Sequence, residues 1–559
     1  MILNSLFTVS CALGVLCSVK TDTASLRAKF SKLGIDAVFP GDLSYEKLAT
    51  PFNKRLTYIP AAIVYPNSTE AVSESVKVAV DEKLSVSPRS GGHSYGSYGL
   101  GGANGALVVD LSRLKTVSVD QSSGQAVIGS GNRLGDLAIG LHSQGGRAIP
   151  HGECGYIGIG GHAAFGGFGL TSRMWGLTLD NIISQEVVLA NGTIVEASQK
   201  SNPDLYWALR GAGASYGIMT SMKFQTHSAP SEPINFEIQW DFDHNDFANA
   251  LMNFQVFCRS NLPAELGVEA NLGQGSQPGR LNFALSGAWY GDSSKFPAVI
   301  QQFLDEMPVP SKRIVKKTDW LTSLQGLAGF QASPTSAEHD TFYAKSLTTP
   351  QSVPMSKSSI QAFSKYLSSE GWKTDTNWFV QFKLYGGQNS AVTSVAKDAT
   401  AFAQRSILWT IQFYASSSNF APPFPDAGFK FLDQMVSSIL KNNPSGWRYG
   451  SYANYVDDRL SSAEWKTLYY NTQCQNYCPS YQRLAQIKSD YDTQNVFAYP
   501  QSIKKTSATG TNEKFEAFDK GENFSPVKSN GSSIRTSTSQ ELLFPFFYAM
   551  PADGSQSLS

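Results

Sequence analysis

Glycine is concentrated in one stretch of this chain, and that stretch limits what can be built there. Residues 91–217 hold 27 of the 48 glycines, more than three times the usual density of ~7%. Such a block cannot be mainly helix, because each glycine in a helix interior costs about 0.5–1 kcal/mol relative to alanine. It reads as short strands joined by tight turns, where backbone comes close to something. Apolar or alternating runs fall between the turns at 106–110, 116–120 and 125–129. The run 186–197 carries Asn191-Gly192 between two apolar halves and predicts a hairpin. Ser68 or Thr69 is placed to cap a helix through Leu84, and Ser201 one through Leu209 that Gly211 stops.

Past residue 226 glycine thins and the pattern changes. Alternating stretches at 234–242 and 378–387, with a helix over 357–370, predict a second, α+β domain. A further change comes at 451–503, which reads as two helices ending in NVFAYPQSI. Residues 504–559, rich in Ser, Thr, Lys, Gly and Asn, read as a disordered extension. Residues 1–18 hold an apolar run of the length of a secretory signal, although without a basic start. Four Asn-x-Ser/Thr sequons, at Asn67, Asn191, Asn523 and Asn530, fit export. The 559 residues suit two to four domains. Lys+Arg and Asp+Glu both total 45, which argues against nucleic-acid binding. Cys474 and Cys478, four apart, suit a local disulfide, Cys258 a buried apolar position, and no cluster suggests a metal.

Chemistry concentrates in three glycine-rich segments. PRSGGHSYGSYGLGG (88–102) has the texture of an anion cradle, with His93 inside the turn. It is neither a dinucleotide-binding G-x-G-x-x-G nor a Walker loop. HGECGYIGIGGHAAFGGFGLTSRMWGLTLDNI (151–182) sets Cys154 between Gly152 and Gly155, on a turn and not on an apolar face. LYWALRGAGASYGIMT (205–220) is the third.

Together these segments resemble the FAD-linked oxidases of the vanillyl-alcohol oxidase type, and within them the berberine-bridge-enzyme-like family. The resemblance rests on R-S-G-G-H-S (89–94), G-x-C-x3-G-x-G-G-H (152–162), G-L-x-x-D-N (176–181), W-A-L-R-G-x-G (207–213), N-Y-x-D (454–457) and Y-D-x-x-N-x-F (491–497), in this order, over residues 40–503. It implies an α+β fold. A two-part FAD-binding domain of the PCMH type would be formed by 25–225 and 451–503. An α+β substrate domain on an antiparallel sheet would occupy 226–450. It also implies FAD held by two covalent bonds, from His93 to the 8α-methyl carbon and from Cys154 to C6. Arg89, Ser90, Gly91, Gly92, Ser94, Gly158, Gly161, Tyr216, Gly217 and Ile218 would line the rest of the cofactor; His162 suits a structural role as well.

Within the family the chain looks most like fungal oligosaccharide oxidases. Amides and flat aromatics suit a sugar, and period-two alternation puts Phe379, Gln381, Lys383 and Tyr385 on one strand face, with Gln412 and Tyr95 nearby. Tyr455 stands at the position of the family's general base. Related oxidases keep an Asp near this tyrosine where the present chain has Lys383, whose ammonium would favour the phenolate. The expected activity is oxidation of an anomeric hydroxyl to the lactone by a secreted monomer, with O2 reduced to H2O2. The alternatives are oxidation or oxidative ring closure of a secondary metabolite, a dehydrogenase that avoids oxygen, and a non-catalytic binding protein.

Overall fold

The computed structural model describes residues 23–328, 339–471 and 480–506. The expected signal (1–18), most of the extension (504–559) and the pair Cys474 and Cys478 lie outside them.

The glycine-rich part forms two sheets. In the first, the strands Asp36–Val38, Ala62–Tyr65, Leu107–Asp110 and Val86–Arg89 lie in that order. Leu107–Asp110 runs parallel to both its neighbours. Parallel pairing needs a crossover, and the helix Thr69–Asp81 supplies it, capped where Ser68 Oγ accepts from Ala71 N. The second sheet is antiparallel, in the order Val117–Asp120, Gln125–Gly129, Ile218–Gln225, Ile182–Val188, Ile194–Ser198. The last two strands form the expected hairpin, in which Val188 faces Ile194 and Gly192 takes φ +79°. The helix expected to be capped by Ser201 has Asn202 at its cap and starts at Pro203, and its regular turns break at Gly211, whose φ of +146° no helix allows.

Residues beyond 226 build a seven-stranded antiparallel sheet. Its order is Lys312–Lys317, Ile234–Phe242, Leu281–Trp289, Leu266–Gln274, Thr376–Leu384, Ile407–Ser417, Phe342–Pro350. Alternation divides its faces. Ile234, Phe236, Ile238, Trp240, Leu272, Val380 and Phe382 join one buried cluster with Phe254, Phe363 and Met435, from the helices His244–Arg259, Lys357–Glu370 and Asp426–Leu440. Each such side chain stabilises the fold by roughly 1.5–3 kcal/mol on burial. The other face carries Glu269, Asn271, Ser286, Gln381, Lys383 and Gln412, which line a cavity.

The chain then returns to the glycine-rich part. Tyr481 and Leu484 of the helix Ser480–Tyr491 enter the same core as Trp207 and Leu209. Lys488 Nζ donates to Asp492 Oδ2 and to Ser215 O, both at 2.6 Å, and both members of this ion pair are fully buried. Asp492 also accepts from Val496 N and Phe497 N. That aspartate, in the Y-D-x-x-N-x-F run, ties the returning segment down.

Candidate active site

The strand Val86–Arg89 ends in the first glycine turn, and the second turn leads into the helix Ile159–Ala164. The two meet backbone to backbone. A Cβ on Gly91 would lie 2.3 Å from Gly158 N, and one on Gly158 2.1 Å from Gly91 N. No side chain fits between them, and this contact brings His93 and Cys154 to one cavity of about 580 Å³.

The cavity suits a flavin dinucleotide. Among the described residues, the N–H groups of Gly91, Gly92 and His93 meet no protein acceptor. Tyr98 Oη, buried at the cavity wall, has no partner either. Gly91, Gly92 and His93 are half-buried at the cavity, and successive open N–H groups in a turn suit a phosphate, while the buried Tyr98 hydroxyl calls for a partner from outside. At Gly161 a Cβ would meet nothing within 4 Å. The serine hydroxyls are already engaged. Ser90 Oγ donates to Ser130 O and accepts from Gly160 N, and Ser94 Oγ accepts from Tyr98 N. Arg89 lines the cavity but is braced by Asp110 Oδ2 at 2.5 Å and Leu48 O at 2.7 Å. Gly217 lines the cavity, whereas Tyr216 and Ile218 stand behind it. Tyr216 Oη donates to Leu484 O, and Ile218 packs beside Val109 and Val188. His162 Nε2 accepts from Gly152 N at 3.1 Å and so helps shape the cysteine turn.

Burial pushes the His93 imidazole down to about 4, so that it is neutral with a free lone pair near pH 7. Phe52 stacks on it with ring centroids 3.6 Å apart. Burial holds the Cys154 thiol above its ordinary value, with Glu153 adding to the effect, and so opposes the thiolate.

The opposite wall is a polar network across three strands. Gln381 Nε2 donates to Asn271 Oδ1 at 2.7 Å, and Asn271 Nδ2 donates to Glu269 Oε1 at 2.8 Å and to Ser286 Oγ at 2.7 Å. Gln412 Nε2 donates to Tyr95 Oη at 2.8 Å. Tyr95 stacks on Tyr455 at 5.9 Å, and Phe379 also lines the cavity. Tyr385 does not join this wall. The strand stops at Leu384, and the Tyr385 ring is buried against Phe168.

Tyr455 is positioned by its neighbour: Asn454 Nδ2 donates to His162 O and to Tyr452 Oη. Burial raises the Tyr455 phenol well above its ordinary value, and Lys383 pulls the other way. The expected ammonium therefore acts on the phenol, but it is shared with two carboxylates that the sequence did not point to. Lys383 Nζ contacts the Glu269 carboxylate and lies 3.5 Å from Glu153 Oε1. Burial works against the Lys383 charge, but Glu153 and Glu269 outweigh it and keep the amine protonated. Burial first, and then repulsion from Glu269, pushes Glu153 up to about 7.

Glu153, Glu269 and Asn271 escape a motif reading. For Glu269 and Asn271 the available signal was two polar residues at alternate positions of the mainly apolar strand Leu266–Gln274.

A cavity between a glycine-turn anion cradle and a polar sheet face, with an imidazole and a thiol on its rim, defines a flavin-dependent oxidoreductase. The comparisons agree. The FAD binding domain model matches residues 60–198 and the berberine and berberine-like model residues 451–504. A carbohydrate oxidase of Microdochium nivale is 35% identical over 491 residues, covering 86% of this chain and 95% of that protein. A chitooligosaccharide oxidase structure superposes with a TM-score of 0.79 at 32% identity, over 86% of this chain and all of that one. A structure of the Acremonium strictum glucooligosaccharide oxidase, described as carrying 6-S-cysteinyl, 8α-N1-histidyl FAD, gives a TM-score of 0.78 at 32% identity, again over 86% of this chain and all of that one. The chain belongs to the berberine-bridge-enzyme-like family of FAD-linked oxidoreductases.

Proposed function

We propose that this protein is a secreted, monomeric oxidase that converts the anomeric hydroxyl of oligosaccharides to the lactone and reduces O2 to H2O2. FAD would be bound through both His93 and Cys154. When bound, it supplies the two-electron acceptor and the route to oxygen. The rest falls to the chain. Gln381, Asn271 and Gln412 offer amides to sugar hydroxyls, and Phe379 and Tyr95 offer flat faces to the apolar side of a ring. Tyr455, as the phenolate, takes the hydroxyl proton as hydride leaves C1. The domains 25–225 with 451–503, and 226–450, would divide cofactor from substrate.

One observation carries this reading. The amides of Gln381, Asn271 and Gln412 are braced against their neighbours on the sheet face that lines the same cavity as the cysteine turn. Fixed amides suit a neutral polyhydroxylated ligand, for which no full charge is required. The test is peroxide release from cello-, xylo- and chito-oligosaccharides under air. Peroxide in proportion to sugar consumed supports the reading. Sugars that neither bleach the flavin nor yield peroxide would refute it.

A further inference from the structure

On that reading Tyr455 must ionise to accept a proton, and the charges beside it decide at what pH it does so. We propose that Glu153 sets the working pH of Tyr455, by opposing the field of Lys383 when ionised and releasing it when protonated.

The geometry is one ammonium shared by two carboxylates at the cavity. Glu269 and Lys383 are directly paired on adjacent strands, and their charged ends meet. The second carboxylate, Glu153, belongs to the cysteine turn and lies 3.5 Å from Lys383 Nζ. Glu269 is braced through Asn271, whose amide is shared with Ser286 and Gln381. The side chains of Glu269 and Lys383 are 6% and 7% exposed and that of Glu153 is 15%, so the outer carboxylate is the wetter of the two. Glu153, Lys383, Glu269 and Tyr455 all line the one cavity.

One ammonium between two carboxylates carries a net charge of minus one. With a proton on Glu153 the net charge is zero. An anion near a phenol raises its pKa and a cation lowers it. Lys383 lowers that of Tyr455, and Glu153 raises it. The outer carboxylate titrates near neutrality because burial and Glu269 disfavour its charge. Below that point Glu269 alone offsets Lys383, and the phenol ionises more readily. Above it the second carboxylate holds the phenol back. Other groups face the same two residues. Tyr290 and Tyr385 feel the Glu153 charge, Cys154 stands beside it in the chain, and His151 shares a small crevice with it. Tyr95 and Tyr452 border Tyr455. Burial keeps all four of these phenols, and the thiol, protonated near pH 7. It also lowers the His151 pKa, leaving that ring neutral. Glu153 is left as the group of this set that titrates there.

The test uses the flavin-loaded full chain. The rate of anaerobic flavin reduction by a sugar is measured from pH 5 to 9 in the parent, Glu153→Gln, Glu153→Asp and Lys383→Met, with covalent flavin checked by mass. Glu153→Gln should move the rising limb lower by about one pH unit. Lys383→Met should move it higher and cut the rate at pH 7 by more than about tenfold, and Glu153→Asp should keep the parent profile. The visible absorption of the resting protein should show an ionisation near pH 7 that Glu153→Gln removes. Shifts of both variants in the same direction, or an ionisation that survives Glu153→Gln, would overturn the proposal. If no sugar reduces the flavin, the functional reading fails, and the spectral titration alone decides this one.

Discussion

Phe52 lies on the face of the His93 imidazole, with ring centroids 3.6 Å apart and planes 24° from parallel. The stack leaves the imidazole little freedom on its turn, and burial keeps it uncharged. A nucleophile fixed in its reactive form needs little reorganisation. Replacing Phe52 by Ala should therefore lower the fraction of protein with flavin on His93 while leaving the Cys154 link. Peptide mass spectrometry after digestion reads both bonds separately. An unchanged histidyl fraction would show that the stack has no part in attachment.

Tyr455→Phe removes one oxygen and little volume. Loss of a general base costs about 10²–10⁴-fold. Anaerobic flavin reduction by sugar should fall by that factor, while the flavin content and the spectrum of the protein stay as they are. Reduction at the parent rate would take Tyr455 out of the mechanism.

Gln381 and Gln412 hold positions by hydrogen bonds to Asn271 and Tyr95. Each hydrogen bond to an uncharged ligand is worth about 0.5–1.5 kcal/mol. Either residue changed to Ala should raise KM for a good sugar by roughly 2–10-fold, with a smaller change in kcat. A fall in kcat at constant KM would place them in the chemistry and not in binding.

Asp180, of the G-L-x-x-D-N segment, accepts two hydrogen bonds from Arg405, at 2.8 and 2.7 Å, and caps its own turn through Leu177 N. Both side chains are under a tenth exposed. Taking one partner from a buried pair costs about 3–5 kcal/mol. Asp180→Ala should lose stability on that order in denaturant unfolding, and a loss under about 1 kcal/mol would contradict the assignment.

Burial lowers the pKa of His162 to about 3, below the ordinary value of 6.5 that the unfolded chain would show. Its stabilising contribution is complete above about pH 6.5 and is lost as pH falls toward 3, because the unfolded state binds the proton first. In His162→Gln, melting temperature should depend less steeply on pH between 6 and 4 than in the parent. Equal slopes would show that His162 carries no such linkage.

Much of the fold was legible in the sequence because it rests on local rules. Alternation marked the strand Ile234–Phe242 to the residue, Asn-Gly marked a hairpin, and Ser68 or Thr69 marked a cap, of which Ser68 serves. Less legible was whatever depends on approach between distant segments. Alternation alone carried Tyr385 onto the cavity wall, but the strand stops one residue short of it. Lys383 read as a cation beside Tyr455, but its two carboxylates come from other elements and were not seen. The glycine texture at 91 and 158 was visible, but its meaning, two turns in backbone contact, needed both partners in place.

The proposed chemistry rests on one flavin gripped by the imidazole of His93 and the sulfur of Cys154. Digestion of the yellow protein after acid precipitation, followed by mass spectrometry, tests it directly. A single species is expected, in which the His93 peptide and the Cys154 peptide are joined through one FAD. A colourless protein, or pigment that washes fully into the supernatant, would contradict it.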